Sequence, residues 1–358
     1  MTRPARACID LTALQHNFKR VTEAAPGCRV MAIIKANAYG HGLTRIARSL
    51  TQADAFGVAT VDEAITLREA GFDRRLVLLE GPFDAGELTL ISGYHLDAVI
   101  HHSEQLAMLE KASLRRPLDV WLKIDTGMHR LGFEPSRVPE AINRLNQIDF
   151  IGELRFLSHL SCADDSTDDY TANQIAVFRD TLQSRTGERS LANSAAVLGW
   201  PETHFDWVRP GIMLYGVAPL LDTSAARLDL RPVMTLKTTL IAVNMHPQGA
   251  RIGYGGDWVC PATMPVGIAA IGYGDGYPRC ASAGMSLLVN GKRAPLIGRV
   301  SMDMLCIDLR DHPEAAVGDA VTLWGEGLPV DEVAEKAGTI AYELLCGVNR
   351  RVHFEYRE

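Results

Sequence analysis

Val30-Met31-Ala32-Ile33-Ile34-Lys35-Ala36-Asn37-Ala38-Tyr39-Gly40-His41-Gly42 is the stretch on which the fold turns. Five apolar residues run straight into a lysine, then into a loop with two glycines, and residues 43–50 follow with helical spacing. That order predicts strand, loop and helix. An apolar run without alternation suits a strand buried on both faces of a parallel sheet, so Lys35 stands at its carboxyl end, half inside an apolar wall. An amine held there is partly stripped of water, which favours its neutral, nucleophilic form and hence a Schiff base with a carbonyl compound. The plainer alternative is a lysine that simply leaves the core at a strand end.

Downstream, short apolar runs recur at 29–35, 55–59, 76–80, 96–101, 120–125, 151–159, 191–194 and 207–209. Helical stretches separate them at 61–70, 85–92, 103–111, 139–146 and 174–185. Alternation of this kind predicts an α/β fold, a (β/α)8 TIM-type barrel whose active site gathers at the carboxyl ends of the strands; a doubly wound open sheet is the alternative. After residue 229 the runs become rich in β-branched and aliphatic residues, at 233–243, 266–271, 287–289, 296–300, 304–309 and 321–324, and Asn290-Gly291 is a hairpin signal. The expected division is a barrel over 1–228 and a mostly β domain over 229–358, with 222–229 as linker and short helices at 330–336 and 341–346.

Length and composition agree with two globular domains: 358 residues, 47% hydrophobic and 22% charged. A net charge of −7 carries no footprint for nucleic acid or an anionic membrane. No apolar run reaches the roughly 20 residues of a transmembrane helix, and the first residues lack a secretory apolar segment. Seven cysteines without a CxxC pair speak against a disulfide framework or a zinc site, and a reducing cytoplasm fits them. No metal is expected.

Chemistry concentrates at the predicted strand ends. Lys35 ends the first, Lys123 and Asp125 the fifth, His159 the sixth, Asn193 and Ser194 the seventh, and Arg209-Pro210-Gly211 the eighth. Barrel enzymes frequently bind phosphate with the loops after strands seven and eight, where Ser194 and Gly211-Ile212 stand. A carbonyl cofactor that carries a phosphate and is held by a lysine is pyridoxal 5′-phosphate.

Seven motifs in order resemble those of the pyridoxal-phosphate alanine racemases. They are residues 30–42, Lys123-Ile124-Asp125-Thr126-Gly127-Met128-His129-Arg130-Leu131-Gly132, Ala192-Asn193-Ser194-Ala195, Arg209-Pro210-Gly211-Ile212, Gly253-Tyr254-Gly255, Gly272-Tyr273-Gly274-Asp275-Gly276-Tyr277 and Gly298-Arg299-Val300-Ser301-Met302-Asp303. The resemblance runs from about Cys8 to Val352 and implies the family's barrel, β domain and head-to-tail homodimer with shared active sites. It implies that Lys35 forms the Schiff base with the cofactor and is one of two catalytic bases, the partner subunit's Tyr254 being the other. Tyr39, Ser194, Gly211 and Ile212 resemble phosphate ligands, and Asn193 and His159 belong to the same cofactor site. Arg209 resembles the residue facing the pyridine nitrogen; a permanent cation there leaves the ring neutral, which favours return of the proton over transamination. Arg130 resembles the arginine shared by the cofactor's phenolic oxygen and the substrate carboxylate.

Lys123 matches a lysine that carries a carbamate in some members; an ordinary lysine paired with an acid is the alternative. Met302 resembles the partner-chain residue whose N–H meets the substrate carboxylate, Asp303 a buttress of that loop, and Tyr273 a gate that limits substrate size. Since a phenol is a poor base at neutral pH, His159, linked to Arg209 and Tyr254 in the family, is expected to help stabilise the phenolate. One departure stands out. Arg350 occupies the place where some members set a tyrosine on the phosphate. The implied reaction is interconversion of L- and D-alanine, whether D-alanine is supplied to cell-wall synthesis or degraded. A decarboxylase of basic amino acids on the same barrel would want an acid at position 209, and a noncatalytic pyridoxal-phosphate homeostasis protein would lack residues 229–358. A broad-specificity or serine racemase is the nearest rival.

Overall fold

The computed structural model describes residues 3–281 and 283–358. Its centre is a closed barrel of eight parallel strands: Arg29–Ile33, Ala55–Val58, Arg75–Leu78, Asp97–Ile100, Leu118–Lys123, Ile151–Leu157, Arg189–Ser190 and Trp207–Val208. Closure is direct, since Arg29 and Val30 pair with Trp207 and Val208. Most strand residues are buried, because helices cover the outside and side chains fill the inside. Helix starts are set by short polar side chains; Thr60, for example, accepts from the Glu63 N–H ahead of helix Val61–Glu69.

Two expectations are corrected. The seventh strand covers Arg189–Ser190 rather than 191–194. Leu191 and Ala192 are fully buried but lie beyond the ladder, and Asn193 caps the helix Ser194–Gly199 by accepting from the Ala196 N–H. Burial alone made them look like strand. The second correction concerns the start of the chain, assigned to the barrel by the 1–228 division. Strand Arg6–Asp10 lies in the other sheet, antiparallel to Met234–His246 and parallel to His353–Arg357.

That second sheet runs, in spatial order, Met264–Ala269, Leu305–Asp308, Lys292–Ile297, Ser286–Val289, Ala320–Trp324, Met234–His246, Arg6–Asp10 and His353–Arg357. The thirteen-residue strand Met234–His246 also pairs with Met264–Ala269, through a bulge between Leu240 and Ala242, so its first six strands form a ring. One continuous apolar core joins barrel and β domain. A second, small cluster of Ile252, Cys260, Met264, Val266 and Ile297 lies apart from it.

Candidate active site

Lys35 stands one residue beyond the first barrel strand, after Ile34, and the chain then does something L-residues avoid. Ala36, Asn37, Ala38 and Tyr39 have φ of 53, 55, 54 and 51°, a full turn of left-handed helix. At about 1–2 kcal/mol for each of Ala36, Ala38 and Tyr39, the turn stores on the order of 3–6 kcal/mol of strain. Backbone hydrogen bonds run through it. Ala38 donates to Ile34 (2.8 Å), Gly40 to Ala36 (3.0 Å) and Gly42 to Asn37 (3.0 Å), while the Asn37 N–H reaches the Glu63 carboxylate (3.2 Å). Gly40 is required where the turn ends. Its φ is +80°, and a Cβ there would sit 2.2 Å from the Leu345 carbonyl oxygen on the C-terminal helix Ala341–Gly347.

The left-handed turn carries Tyr39 across the barrel mouth to the end of the eighth strand. A Cβ on Gly211 would lie 2.6 Å from the Tyr39 hydroxyl oxygen, so only glycine lets the two meet. Ser194 Oγ accepts from the Gly211 N–H (2.8 Å) and more distantly from Met213 (3.4 Å), which leaves its own proton free. Neither the Tyr39 hydroxyl nor the Ile212 N–H has a hydrogen-bond acceptor among the described residues. Three unused donors around one glycine make a cradle for an anion.

Charge points the same way. Arg209 is buried and its guanidinium donates to Ser190 Oγ (2.6 Å) and the Ser158 carbonyl (2.5 Å); burial lowers its pKa to about 10, and no carboxylate pairs with it among the described residues. Lys123 is buried too, and burial, with Arg209, Arg130 and Lys35 adding repulsion, lowers its pKa to about 8; Glu80 opposes this. Burial and the same four cations push His159 well below the ordinary histidine range, so its ring is neutral. Its Nδ1 lies 3.5 Å from the Arg209 guanidinium, which can only donate, so the proton is on Nε2. A mouth with this excess of cations and free donors fits a ligand with a phosphate and a phenolate, as pyridoxal 5′-phosphate has.

Other residues singled out by sequence stand as follows. Asn193 spends its side chain on the helix cap and a long contact to the Leu160 carbonyl (3.5 Å). Arg130 is exposed in the loop after the fifth strand, where Asp125 anchors the Gly127 and His129 N–H groups at 3.0 Å each. Tyr254 is not brought to its own barrel mouth. It tops the small hairpin Arg251–Ile252/Trp258–Val259, over the separate apolar cluster, with 68% of its surface exposed. Met302 and Tyr273 are also exposed on the β domain, and their loops are joined by the bonds Gly274 N–H to Met302 O (2.8 Å) and Tyr273 N–H to Ser301 O (3.1 Å). Asp303 binds Arg351 and Arg3, and both arginines also reach the buried Asp275. Arg350 is exposed and has no hydrogen bond among the described residues.

Sequence reasoning gave no role to Asp275, His41, Tyr215 or Arg3. Asp275 and His41 lie inside motifs it quoted; Tyr215 closes an apolar run, and nothing in the chain near Arg3 marks its distant partners.

Residues 9–219 match the family model described as alanine racemase, N-terminal domain, and residues 233–356 that of the C-terminal domain. An alanine racemase of Vibrio parahaemolyticus is 49% identical over 99% of both chains, and a biosynthetic alanine racemase of Escherichia coli 48% identical over 98% of this chain and 99% of its own. The crystal structure of a biosynthetic alanine racemase from Pseudomonas aeruginosa superposes with a TM-score of 0.97 at 47% identity, covering 100% of both chains.

Proposed function

The chain belongs to the alanine racemase family, and from that premise we propose how its barrel mouth interconverts L- and D-alanine. The observation that carries the reading is the cation-rich mouth, where Lys35, Lys123, Arg130 and Arg209 surround the free donors of Tyr39, Ser194 and Ile212. Pyridoxal 5′-phosphate fits that donor set: Tyr39, Ser194, Ile212 and the backbone at Gly211 would hold its phosphate, and Lys35 would hold its aldehyde. When bound, it supplies the electron sink that makes the Cα proton of alanine removable.

Inversion needs one acid/base group on each face of Cα. Lys35 Nζ serves one face. The phenol of the partner subunit's Tyr254 serves the other, a reading supported by the exposure of Tyr254 on a hairpin away from its own mouth. One group takes the Cα proton while the other delivers a proton to the opposite side, so each turnover exchanges their protonation states. His159 presents a neutral Nε2–H backed by the Arg209 guanidinium, which stabilises a phenolate without placing a second full charge beside it. Arg209, a cation, would meet the ring nitrogen of the bound cofactor and disfavour its protonation. Arg130 holds the substrate carboxylate with Met302 of the partner subunit, and the partner subunit's Tyr273 limits substrate size.

A low Lys123 pKa makes its neutral amine available to carbon dioxide, and a carbamate there would place a negative charge among the mouth cations and orient Arg130. Seven free cysteines support a reducing compartment such as the cytoplasm. No helix among the described residues is long and apolar enough to cross a membrane.

The decisive experiment is borohydride reduction of the purified protein after loading with pyridoxal 5′-phosphate. Its visible absorption should bleach, and peptide mapping should find the cofactor on Lys35. Lys35→Ala should lose all racemisation of L- and D-alanine. Labelling of any other lysine would remove the basis of the assignment.

A further inference from the structure

We infer that His41 and Tyr215 are positioning residues that hold the left-handed turn and thereby aim Lys35 and Tyr39. The inference rests on Lys35 being the cofactor lysine. Four consecutive non-glycine residues at φ between 51 and 55° do not stay left-handed unless something outside the turn holds them. His41 Nδ1–H lies 2.8 Å from the Tyr39 carbonyl oxygen and 3.1 Å from that of Ala38, so one donor bridges two carbonyls of the turn. The ring is fully buried, and its Nε2 has no partner among the described residues. A histidine kept in the core for one of its two nitrogens is kept for the bond that nitrogen makes. Burial lowers its pKa to about 4, so the ring is neutral and leaves no second donor stranded.

Tyr215 supplies the other half of the clamp. Its ring lies between those of Tyr39 and His41, with centroids at 4.7 and 4.6 Å, and its hydroxyl donates to the Ile33 carbonyl (3.1 Å), two residues before Lys35. The Tyr356 hydroxyl fixes the far end by donating to the His41 carbonyl (3.0 Å). Strand end, turn and turn exit are thus held by one aromatic stack. If the turn relaxed to the right-handed form, Tyr39 would swing away from Gly211 and Lys35 would lose its aim.

The test compares variants for pyridoxal 5′-phosphate affinity, visible spectrum and turnover of L-alanine. His41→Leu keeps bulk but removes the donor; it should weaken cofactor binding and lower kcat by about tenfold or more, with KM changed much less. His41→Asn, which keeps an N–H near the Nδ1 position, should recover most of both. Ala36→Gly placed on His41→Leu should also recover them, since glycine adopts this backbone without the steric penalty. Wild-type cofactor affinity and kcat in His41→Leu would overturn the inference. So would a loss that neither the asparagine nor the glycine restores, because a residue that only fills the core is not rescued by relieving strain elsewhere. Should His41→Leu fail to fold, Tyr215→Phe, which removes only the hydroxyl, takes its place in the same glycine test. Failure of the Lys35 assignment is seen separately, in the labelling of the unsubstituted protein.

Discussion

Lys123 is the side chain at which burial and repulsion act together most clearly. Both favour its neutral form, so the folded protein without cofactor holds this proton less tightly than the unfolded chain does. The sign follows from that difference. Below about pH 8 the penalty is fully present; as pH rises from 8 towards the ordinary lysine value of 10.5, the unfolded chain carries the extra proton and the penalty disappears. Lys123→Met should therefore stabilise the cofactor-free protein at pH 7 in bicarbonate-free buffer, by at most roughly 3 kcal/mol, and the gain should shrink towards pH 10. Urea melts at several pH values would check this. An unchanged or growing gain at high pH would mean that Lys123 is not held against its charge. Racemisation should fall in the same variant, since the group that orients Arg130 is gone. A residue that weakens the empty protein is thereby tied to the loaded one.

Among the elements, the amino ends of the barrel strands show charge used in the opposite way. Arg155, buried near the middle of strand Ile151–Leu157, donates to Glu188 (2.9 Å) and Asp119 (3.3 Å) and lies 3.7 Å from Asp97. Arg75, Arg29 and the indole N–H groups of Trp121 and Trp207 complete the network. Every carboxylate here has a cation, whereas the mouth keeps its cations for a ligand. Arg155→Met takes one cation from Asp97 and Glu188, which keep Arg75 and Arg29, and should cost about 1–3 kcal/mol of stability at pH 7, with the visible spectrum of folded, loaded protein unchanged. Chemical denaturation and the spectrum together test the separation of the two ends. A changed spectrum with unchanged stability would reverse it. Such networks are poorly legible in sequence, because each member is an ordinary charged residue and only barrel closure assembles them. The left-handed turn is equally silent: Ala36, Ala38 and Tyr39 have no preference for that conformation, and only Asn37 tolerates it readily. By contrast, most barrel strands announced themselves by a continuous apolar run, which is a local property, and so did the polar residues at the ends of five of them. The seventh strand misled for the same reason, since Leu191 and Ala192 are buried beyond the regular ladder, where single bonds from Arg209 to their carbonyls replace it.

On the scale of the whole molecule, the position of Tyr254 makes the sharpest claim. Cofactor-loaded Lys35→Ala and Tyr254→Phe subunits, each inactive or strongly impaired alone, should regain activity when mixed and allowed to exchange. One hybrid site then carries Lys35 from one chain and Tyr254 from the other, and the second site lacks both. The hybrid fraction should approach half the activity of an unsubstituted dimer. If exchange is demonstrated by mass and no activity returns, Tyr254 works within its own chain or is not a base. A large-scale feature that sequence reading did miss is the start of the chain. Cys8 and Ile9 form too short an apolar run to declare a strand, and the residues that make it one lie at the opposite end of the sequence.

That pairing has a consequence for how the protein is made. Arg6 meets Glu355, 349 residues later. A ribosome adding roughly 5–20 residues per second needs on the order of 20–70 s to synthesise what lies between them. During that interval strand Arg6–Asp10 has neither of its neighbours at first, then only Met234–His246, by which stage the barrel it is attached to is complete in sequence. Its open edge is available to any other strand in reach, including the same strand on a neighbouring nascent chain. The final five-residue strand is the stitch that closes this gap, so a chain stopped a few codons early would lose little of its mouth and still leave its beginning unfastened.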